Sequence, residues 1–472
     1  MPPVLAEALA GLGGVALFAA AGGGWILLLG LSLSRAGRVG YAYLLGVAWV
    51  AGGLYAGSHL FHLPLNRSST LALVALPGVA GLVRWAWRRA PSQGGGRGGR
   101  RLPLSVLLAV IVGSIVSLGL FVEALANPLL DWDGRMTWAS QARYLRAAGT
   151  VDAPVLRKER WFITHPRYPV LLPVAQVAVL ETFNAQEDEE PFRPLYAAFF
   201  PAFLLVLGDG ARRVAGRRVA GWVVLAAAVA PFLVHREGGA TGAYSDLPLA
   251  CFYGGGLLLL LTRKARWGEG IAAGLLLAAA ALSKNEGAIL AGFALVAAAW
   301  ATLRRLPRNS STPSAKRLTP AALAALFTLA ALLLFLSWRA AIPNRHDEGY
   351  EKLGGLWPAV VTRIPRLLPL LLARFFDWDR WTLFWWAAPV VLLAGRRGLR
   401  GRIALPLALA WGAPLAVAWG AYSIHWDPYY LVQVTWDRML IQGSLPFFLL
   451  LALALRQSVV GWRGTYGGQT AG

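Results

Sequence analysis

Residues 103–122 read PLSVLLAVIVGSIVSLGLFV, a run of twenty positions without a charged side chain. A helix that crosses the hydrocarbon core of a bilayer needs about 20 such residues. The run lacks the alternation of apolar and polar positions that marks a strand of a membrane β-barrel. Because only helices and closed barrels satisfy their backbone polar groups in lipid, this stretch predicts a transmembrane helix.

Similar apolar runs recur along the whole chain. Of its 472 residues, 57% are hydrophobic and only 14% are charged, whereas a soluble chain carries about 25% charged residues. An all-α polytopic membrane protein with about 13 transmembrane helices is therefore predicted. The predicted spans are 9–31, 41–58, 71–87, 103–122, 194–209, 219–234, 247–261, two short helices within 270–302, 319–338, 381–395, 403–421 and 440–455.

The loops between these runs differ in charge and length. The chain has 45 Lys+Arg against 23 Asp+Glu, and the basic residues concentrate in short loops and in a Gly-rich linker at 88–101. Basic short loops are typical of the cytoplasmic side, so the excess charge does not indicate a nucleic-acid partner. The long polar segments at 123–192, 339–380 and 423–439 then lie outside, with amphipathic interfacial helices. The apolar but proline-broken stretch 165–183 is interpreted as interfacial or re-entrant.

The first outer segment carries two acidic candidates. Asp131 and Asp133 flank Trp132 directly after a predicted span. Asp133 precedes a stretch with helical spacing, so it could simply cap that helix, as carboxylates at helix N-termini often do. The alternative is that Asp131 or Asp133 serves as a general base or a metal ligand at the membrane surface.

Two further clusters place ionisable groups close to or within predicted spans. Asp246 stands directly before Leu-Pro-Leu at the start of a span and could cap that helix or act in a site. Lys284, Asn285 and Glu286 interrupt the run 270–302, either as a self-neutralised interfacial hairpin or as a functional group. Ionisable groups inside a membrane are functional candidates because burying them is costly.

Arginines in the outer segments form a third set, which departs from the usual bias of positive charge toward the cytoplasm. The planar guanidinium fork binds phosphate oxygens in pairs, so these residues could contact a phosphate group. Six histidines and one cysteine, Cys251, are too scattered to form a metal motif. The outer arginines are Arg339, Arg345, Arg363, Arg366, Arg374, Arg380 and Arg438.

Five of these stretches together resemble a known family. WDGRMTWASQAR at 132–143 and HPRYPVLLPVAQ at 165–176 resemble the first outer loop of bacterial GT-C superfamily glycosyltransferases. The branch that they resemble is that of rhizobial lipopolysaccharide-core transferases, with protein O-mannosyltransferases and the aminoarabinose transferase of lipid A as more distant relatives. YSDLPLA at 244–250, LSKNEG at 282–287 and WDRMLIQGSLPFFLL at 436–450 follow in the family's order. The resemblance covers about residues 103–456.

The resemblance implies an inverting glycosyltransferase of the plasma (inner) membrane, with its active site facing the periplasm or cell exterior. The sugar would come from a polyprenyl-phosphate donor, and a lipid, glycan or protein hydroxyl would accept it. Asp133 matches the family's catalytic carboxylate, and Asp131 is the alternative. Asp133 and Asp246 would hold Mg²⁺ or Mn²⁺ if a metal is used, which the family leaves open. The expected substrate- and phosphate-binding residues are Asp246, Lys284, Glu286, His165, Arg167, Tyr168, Arg438 and Arg374.

On this interpretation residues 1–102 form N-terminal spans and a basic linker, 103–338 a GT-C-like catalytic module, and 339–472 a C-terminal outer loop and spans. Two other functions are compatible with the same sequence. One is a flippase or transporter for a lipid-linked saccharide, although the internal repeat that is frequent in transporters is not evident. The other is a polysaccharide ligase or polymerase that uses a lipid-diphosphate donor.

Overall fold

The computed structural model describes residues 3–87, 102–158, 165–185, 190–234, 237–261, 266–304, 314–343, 356–381 and 384–466. Within these ranges every regular element is a helix. Eight of the described helices are long and apolar enough to cross a membrane, and a bent pair could add a ninth. The chain is therefore an all-α, multi-pass membrane protein, while the count of thirteen spans stays a prediction. The linker 88–101 and Arg345 lie outside the described residues.

The N-terminal helices pack through glycines. A Cβ atom added at Gly22 would lie 1.8 Å from the Ala42 carbonyl oxygen, and one at Gly46 would lie 1.7 Å from the Phe18 carbonyl oxygen. Only glycine permits this approach, which is typical of helix pairs in membranes. These helices are α1 (Pro3–Leu29), α2 (Arg35–Phe61) and α3 (Arg67–Trp87).

The central part of the chain confirms two short helices within 270–302, which are separated at 282–284. The predicted run 219–234 is interrupted at 229–230, directly before Pro231. The described elements are α4 (Leu104–Ala126), a π-helix (Gly134–Ala139), α5 (Ser140–Ala148), α6 (Leu171–Phe183), α7 (Arg193–Ala197), α8 (Phe199–Ala215), α9 (Arg217–Ala228), α10 (Pro231–Val234), α11 (Asp246–Leu261), α12 (Trp267–Ala281), α13 (Asn285–Leu303) and α14 (Ser314–Ala340), with short 3₁₀ segments at Pro154–Arg157 and Glu190–Phe192.

The C-terminal part bends where the last predicted span begins. The last two helices, Pro428–Gln442 and Ser444–Tyr466, meet at Gly443 with an angle of 55°. The apolar run 440–455 therefore begins in one helix and continues in the next. The helices are α15 (Leu356–Phe375), α16 (Trp378–Trp381), α17 (Phe384–Ala394), α18 (Ala404–Ile424), α19 (Pro428–Gln442) and α20 (Ser444–Tyr466), with a 3₁₀ turn at Gly398–Arg400.

Helix α11 lies at the centre of the bundle. Every residue from Asp246 to Leu261 is buried, so other parts of the protein surround this apolar helix on all sides. Its burial fixes the position of Asp246, which begins the helix. The buried core extends continuously from the first helices to α20, so the three predicted segments share one core.

The short basic loops gather at one end of the bundle, which we call the basic end. There the Ser34 N–H donates to Asp209 (3.0 Å), and Arg213 donates to the Ser32 carbonyl (2.6 Å). Arg456 of α20 donates to the Val214 carbonyl at the same place (2.9 Å). Loops that are far apart in sequence thus share one surface.

The opposite end, which we call the loop end, is formed by 127–152, 165–171, 237–245 and 282–284. The Leu171 N–H donates to the Leu282 carbonyl (3.2 Å), which joins two of these segments. A Cβ atom on Gly134 would lie 2.2 Å from the Gly242 carbonyl oxygen, which joins the other two. All the acidic candidates of the sequence lie at this end.

Candidate functional site

Asp246 is the buried centre of the site. Its side chain is fully buried, and both carboxylate oxygens accept hydrogen bonds. Arg438 Nε donates to Oδ2 (2.9 Å), and Lys284 Nζ donates to Oδ1 (2.8 Å). Gln442 Nε2 also donates to Oδ1 (2.7 Å). A buried charge is stable only when it is paired and hydrogen-bonded in this way, so α11, α19 and the α12–α13 turn are fixed to one another here.

Arg438 connects this buried carboxylate to a more accessible one. Its Nη1 donates to Asp133 Oδ2 (2.7 Å), and the Asp133 side chain is 25% exposed. Asp133 lies in the first turn of its helix, as predicted, but its side chain makes no capping hydrogen bond. The capping interpretation is therefore wrong, because the carboxylate turns to Arg438 and away from the helix N–H groups.

The segment 237–245 closes over Arg438. The Arg438 guanidinium carbon lies 4.7 Å from the centre of the Tyr244 ring, a cation–π distance. Burial, and then the Asp133 charge, raise the pKa of the Tyr244 phenol, so this tyrosine remains a neutral hydroxyl. The second residue of the segment, Gly238, has a φ of +83°, a conformation that glycine adopts readily because it lacks a side chain.

The π-helix that follows Asp133 touches the same segment through Gly134. The contact is between backbones, since the neighbouring atom is the Gly242 carbonyl oxygen. Single-turn π-helical segments occur frequently at functional sites. This close approach keeps Asp133 beside the arginine that the 237–245 segment covers.

Lys284 carries the network to a third carboxylate. Lys284 is only 2% exposed, and its Nζ lies 3.4 Å from Glu286 Oε1 as well as 2.8 Å from Asp246. The self-neutralised hairpin is therefore only part of the arrangement, because the shorter contact of Lys284 is with Asp246. Asp133, Arg438, Asp246, Lys284 and Glu286 form one continuous ion-pair network.

An aromatic group lies beside the helix that carries Asp133. His165 stacks on Tyr168 with ring centres 4.9 Å apart, and Tyr168 lies 5.8 Å from Trp138. Gln141 Nε2 donates to the His165 carbonyl (2.9 Å). The loop end thus holds His165, Arg167 and Tyr168. Their segment ends at Leu171, which binds the carbonyl of Leu282, two residues before Lys284.

Two predicted residues occupy other positions. Arg374 lies on α15 near Arg380, where burial and then the Arg374 charge lower the pKa of Arg380. Arg380 in turn pairs with Asp437 and Asp377, so Arg374 belongs to a separate cluster. Asp131 is partly buried and acts on Tyr244 only as a weaker negative charge than Asp133.

The other described outer arginines are also accounted for. Arg339 Nη1 donates to Asn285 Oδ1 (3.1 Å). Arg363 Nη1 donates to the carbonyls of Ser423 (3.1 Å) and His425 (2.8 Å), a structural role. Arg366 is exposed.

Asp133 and Asp246 do not fit a shared divalent metal. Both carboxylates bind Arg438, and a guanidinium placed between two ligands repels a cation. Asp246 has both oxygens engaged by side-chain donors. Among the described residues no group of three or more His, Cys, Asp or Glu side chains could hold a metal ion.

Sequence reasoning missed Gln442 and Tyr244, which complete the network. It also missed a chain of hydrogen bonds at the loop end in which His59 Nδ1 contacts Asp152 (3.0 Å) and His59 Nε2 contacts Ser337 Oγ (3.1 Å). Their polar side chains could have been noted, but nothing in the sequence brings these three residues together.

The His59 chain has the connectivity of a serine nucleophile and its base, but its setting does not support nucleophilic catalysis. Ser337 Oγ donates to the Leu334 carbonyl (2.8 Å) within α14. An oxyanion hole needs free N–H donors beside the nucleophile, and the N–H groups of a helix interior are already bonded. We interpret this chain as a structural link between α2, the 149–153 loop and α14.

Taken together, the loop end holds a partly exposed carboxylate fixed by a buried ion-pair network, with aromatic side chains and further arginines beside it. No protein-family model, curated protein or solved structure matches this chain. We therefore infer its function from its own residues.

Proposed function

We propose that this protein is a glycosyltransferase that moves a sugar from a polyprenyl-phosphate donor to a hydroxyl acceptor on a lipid, glycan or protein. The observation that carries the proposal is the position of Asp133. It is the most exposed carboxylate of the ion-pair network, at 25% against 20% for Glu286, and it lies in the motif WDGRMTW that resembles the first outer loop of GT-C enzymes.

Asp133 is suited to the role of general base. Arg438 binds its Oδ2, while Oδ1 makes no hydrogen bond within the described residues. Oδ1 can therefore accept the proton of the acceptor hydroxyl, whose oxygen attacks the anomeric carbon of the sugar. The bond from that carbon to the phosphate oxygen breaks, and the polyprenyl phosphate leaves with the electron pair, which inverts the anomeric centre.

The leaving phosphate needs positive charge that the network does not already use. Asp133, Asp246 and Glu286 carry three negative charges against the two positive charges of Arg438 and Lys284. Within the described residues Arg339 forms no ion pair and donates to the neutral amide of Asn285, next to the excess negative charge of this network. We assign Arg339 to the phosphate, because preplaced cations stabilise charge that develops during the reaction.

The two ends of the bundle support an outward-facing site. Arginine-rich loops favour the cytoplasmic side, and the loop end lies opposite them. Eight described helices and one bent pair are long and apolar enough to cross a membrane, and the proposed thirteen spans further require that α9, α11, α12 and α17 cross it. On that side of an inner membrane nucleotide sugars are not available, so a lipid-borne donor is required.

A lipid-linked saccharide flippase and a ligase that uses a lipid diphosphate remain the rival functions. Purified protein in proteoliposomes separates the three. The assay offers matched polyprenyl-monophosphate and polyprenyl-diphosphate sugars, with acceptor lipid extracts, and measures both new glycosidic product and movement of donor across the bilayer. We expect product from the monophosphate donor only. Movement of intact donor without product supports the flippase, and product from the diphosphate alone supports the ligase.

A further inference from the structure

A cavity lies at the basic end, remote from the ion-pair network. It has a volume of about 880 Å³ and is enclosed by α4, α8, α9 and the beginning of α2. That volume falls within the roughly 300–1,000 Å³ that is typical of ligand sites. None of the residues in its wall belongs to the proposed transfer site.

The cavity exists because α4 meets its neighbours at two separate places. At the basic end a Cβ on Gly221 of α9 would lie 2.5 Å from the Ser105 backbone, and Ser105 Oγ donates to the Arg218 carbonyl (2.8 Å). Further along, a Cβ on Gly113 would lie 3.2 Å from Leu204 of α8. The cavity runs along α4 between and beyond these contacts, where the small residue Ala109 lines it.

The gap opens laterally, toward the lipid. Val110 lines it and is 59% exposed, and Ser114 beside it is also exposed. The lining stretch of α4 runs from Val106 to Ser117, which spans about 16 Å at a rise of 1.5 Å per residue. This is about half of the ~30 Å hydrocarbon core, so the cavity has the depth of a single leaflet and suits one acyl chain.

Three arginines surround the mouth of the cavity at the basic end. Arg35, Arg212 and Arg217 line it, and all three side chains are exposed. Within the described part of the chain their guanidinium groups have no ion-pair or hydrogen-bond partner, in contrast to Arg213, which pairs with Asp209. Guanidinium groups bind phosphate oxygens strongly, so the mouth matches an anionic headgroup above an apolar chain.

We propose that this cavity binds one anionic glycerophospholipid from the leaflet at the basic end of the bundle. Arg35, Arg212 and Arg217 bind its phosphodiester, and one acyl chain fills the space between α4 and α8. The site does not depend on the transferase function, because it lies at the other end of the bundle.

The headgroup contact is tested by native mass spectrometry of the full-length protein released from nanodiscs. Phosphatidylglycerol and phosphatidylcholine of equal chain length compete for the site. We expect selective retention of phosphatidylglycerol, weakened roughly tenfold in the double variant Arg212→Gln/Arg217→Gln. Arg38→Gln is the matched control, since Arg38 is exposed at the same end but does not line the cavity. Equal retention of the two lipids, or an equal loss in the control, overturns the proposal.

The chain contact is tested by filling the cavity. Val110→Trp should abolish retention of phosphatidylglycerol, whereas Ile115→Trp, at an exposed position outside the cavity, should not. Unchanged retention in Val110→Trp contradicts the proposal, as does displacement of phosphatidylglycerol by equimolar polyprenyl phosphate. Asp133→Asn should bind the phospholipid normally, so failure of this proposal and failure of the transferase proposal are distinguishable.

Discussion

Arg438 Nε lies 2.9 Å from Asp246 Oδ2, although the two residues are 192 positions apart in the sequence. Arg438 also reaches Asp133, so a single guanidinium joins the first turn of the helix after α4 to the start of α11. Since Asp246 is fully buried, this contact is part of the core of the bundle. The accessible carboxylate is thereby positioned by a charge network that the interior of the protein holds rigid.

The first prediction concerns the stability of that network. Asp246→Asn leaves Arg438 and Lys284 as buried cations without a counter-charge at their shared partner. Breaking a buried ion pair in this way costs about 3–5 kcal/mol. We expect this loss in the free energy of unfolding, measured in mixed micelles. Asp377→Asn is the control, because Asp377 is 30% exposed in its pair with Arg380 and such pairs contribute about 0–1 kcal/mol. If Asp246→Asn loses no more free energy of unfolding than Asp377→Asn, the buried network contributes no more to stability than an exposed ion pair does.

The second prediction concerns the backbone contact beside Asp133. In Gly134→Ala the new Cβ atom would lie 2.2 Å from the Gly242 carbonyl oxygen, so the 237–245 segment must move. We expect a loss of stability of about 1–3 kcal/mol and at least tenfold slower sugar transfer. Gly119→Ala is the matched control, because a Cβ there meets nothing within 4 Å. A Gly134→Ala protein with wild-type activity and melting temperature contradicts the assignment of this contact.

The third prediction concerns Arg339. If its charge meets the donor phosphate, Arg339→Gln lowers kcat/KM for the polyprenyl-phosphate sugar by about 10²–10³-fold, the usual effect of removing one charge-stabilising group. Arg366→Gln changes an exposed arginine of the same outer segment and should remain within about twofold of the wild-type protein. Equal losses in both variants would indicate a general effect of positive charge on donor capture.

The fourth prediction separates the His59 chain from the chemistry. Ser337→Ala removes the hydroxyl 3.1 Å from His59 Nε2, and we expect sugar transfer to stay within twofold of the wild-type rate. A serine nucleophile would instead show a loss of several orders of magnitude. Such a loss would replace Asp133 by Ser337 as the reacting group and would point to acyl transfer.

Several parts of the fold and site were predictable because they depend on local sequence. Apolar runs gave the helical membrane architecture, and the interruption at Lys284 gave the break between α12 and α13. Asp133, Asp246, Lys284 and Arg438 were all selected as candidates, since ionisable groups at the membrane surface or within it need a reason to be there. Their individual roles in transfer remain predictions.

The pairing of these residues was not predictable. Nothing local indicates that Arg438 on α19 reaches back to α11, because its partner Asp246 is 192 positions away in the sequence. Gln442 was missed because a neutral amide near an apolar run carries no charge signal. The capping interpretation of Asp133 was wrong because local rules consider only the nearby helix N–H groups. The partner that the carboxylate binds, Arg438, is 305 positions away.

The most direct test of the central claim is sugar transfer by Asp133→Asn in proteoliposomes, with Asp131→Asn as the neighbouring control. Both variants must first be inserted at wild-type levels and melt at the wild-type temperature or close to it. With a labelled polyprenyl-monophosphate sugar, we predict that Asp133→Asn forms glycosidic product about 10²–10⁴-fold more slowly, as expected for loss of a general base, whereas Asp131→Asn loses less than tenfold. Wild-type product formation by Asp133→Asn, or a complete loss at Asp131→Asn alone, would contradict the assignment of Asp133 as the base.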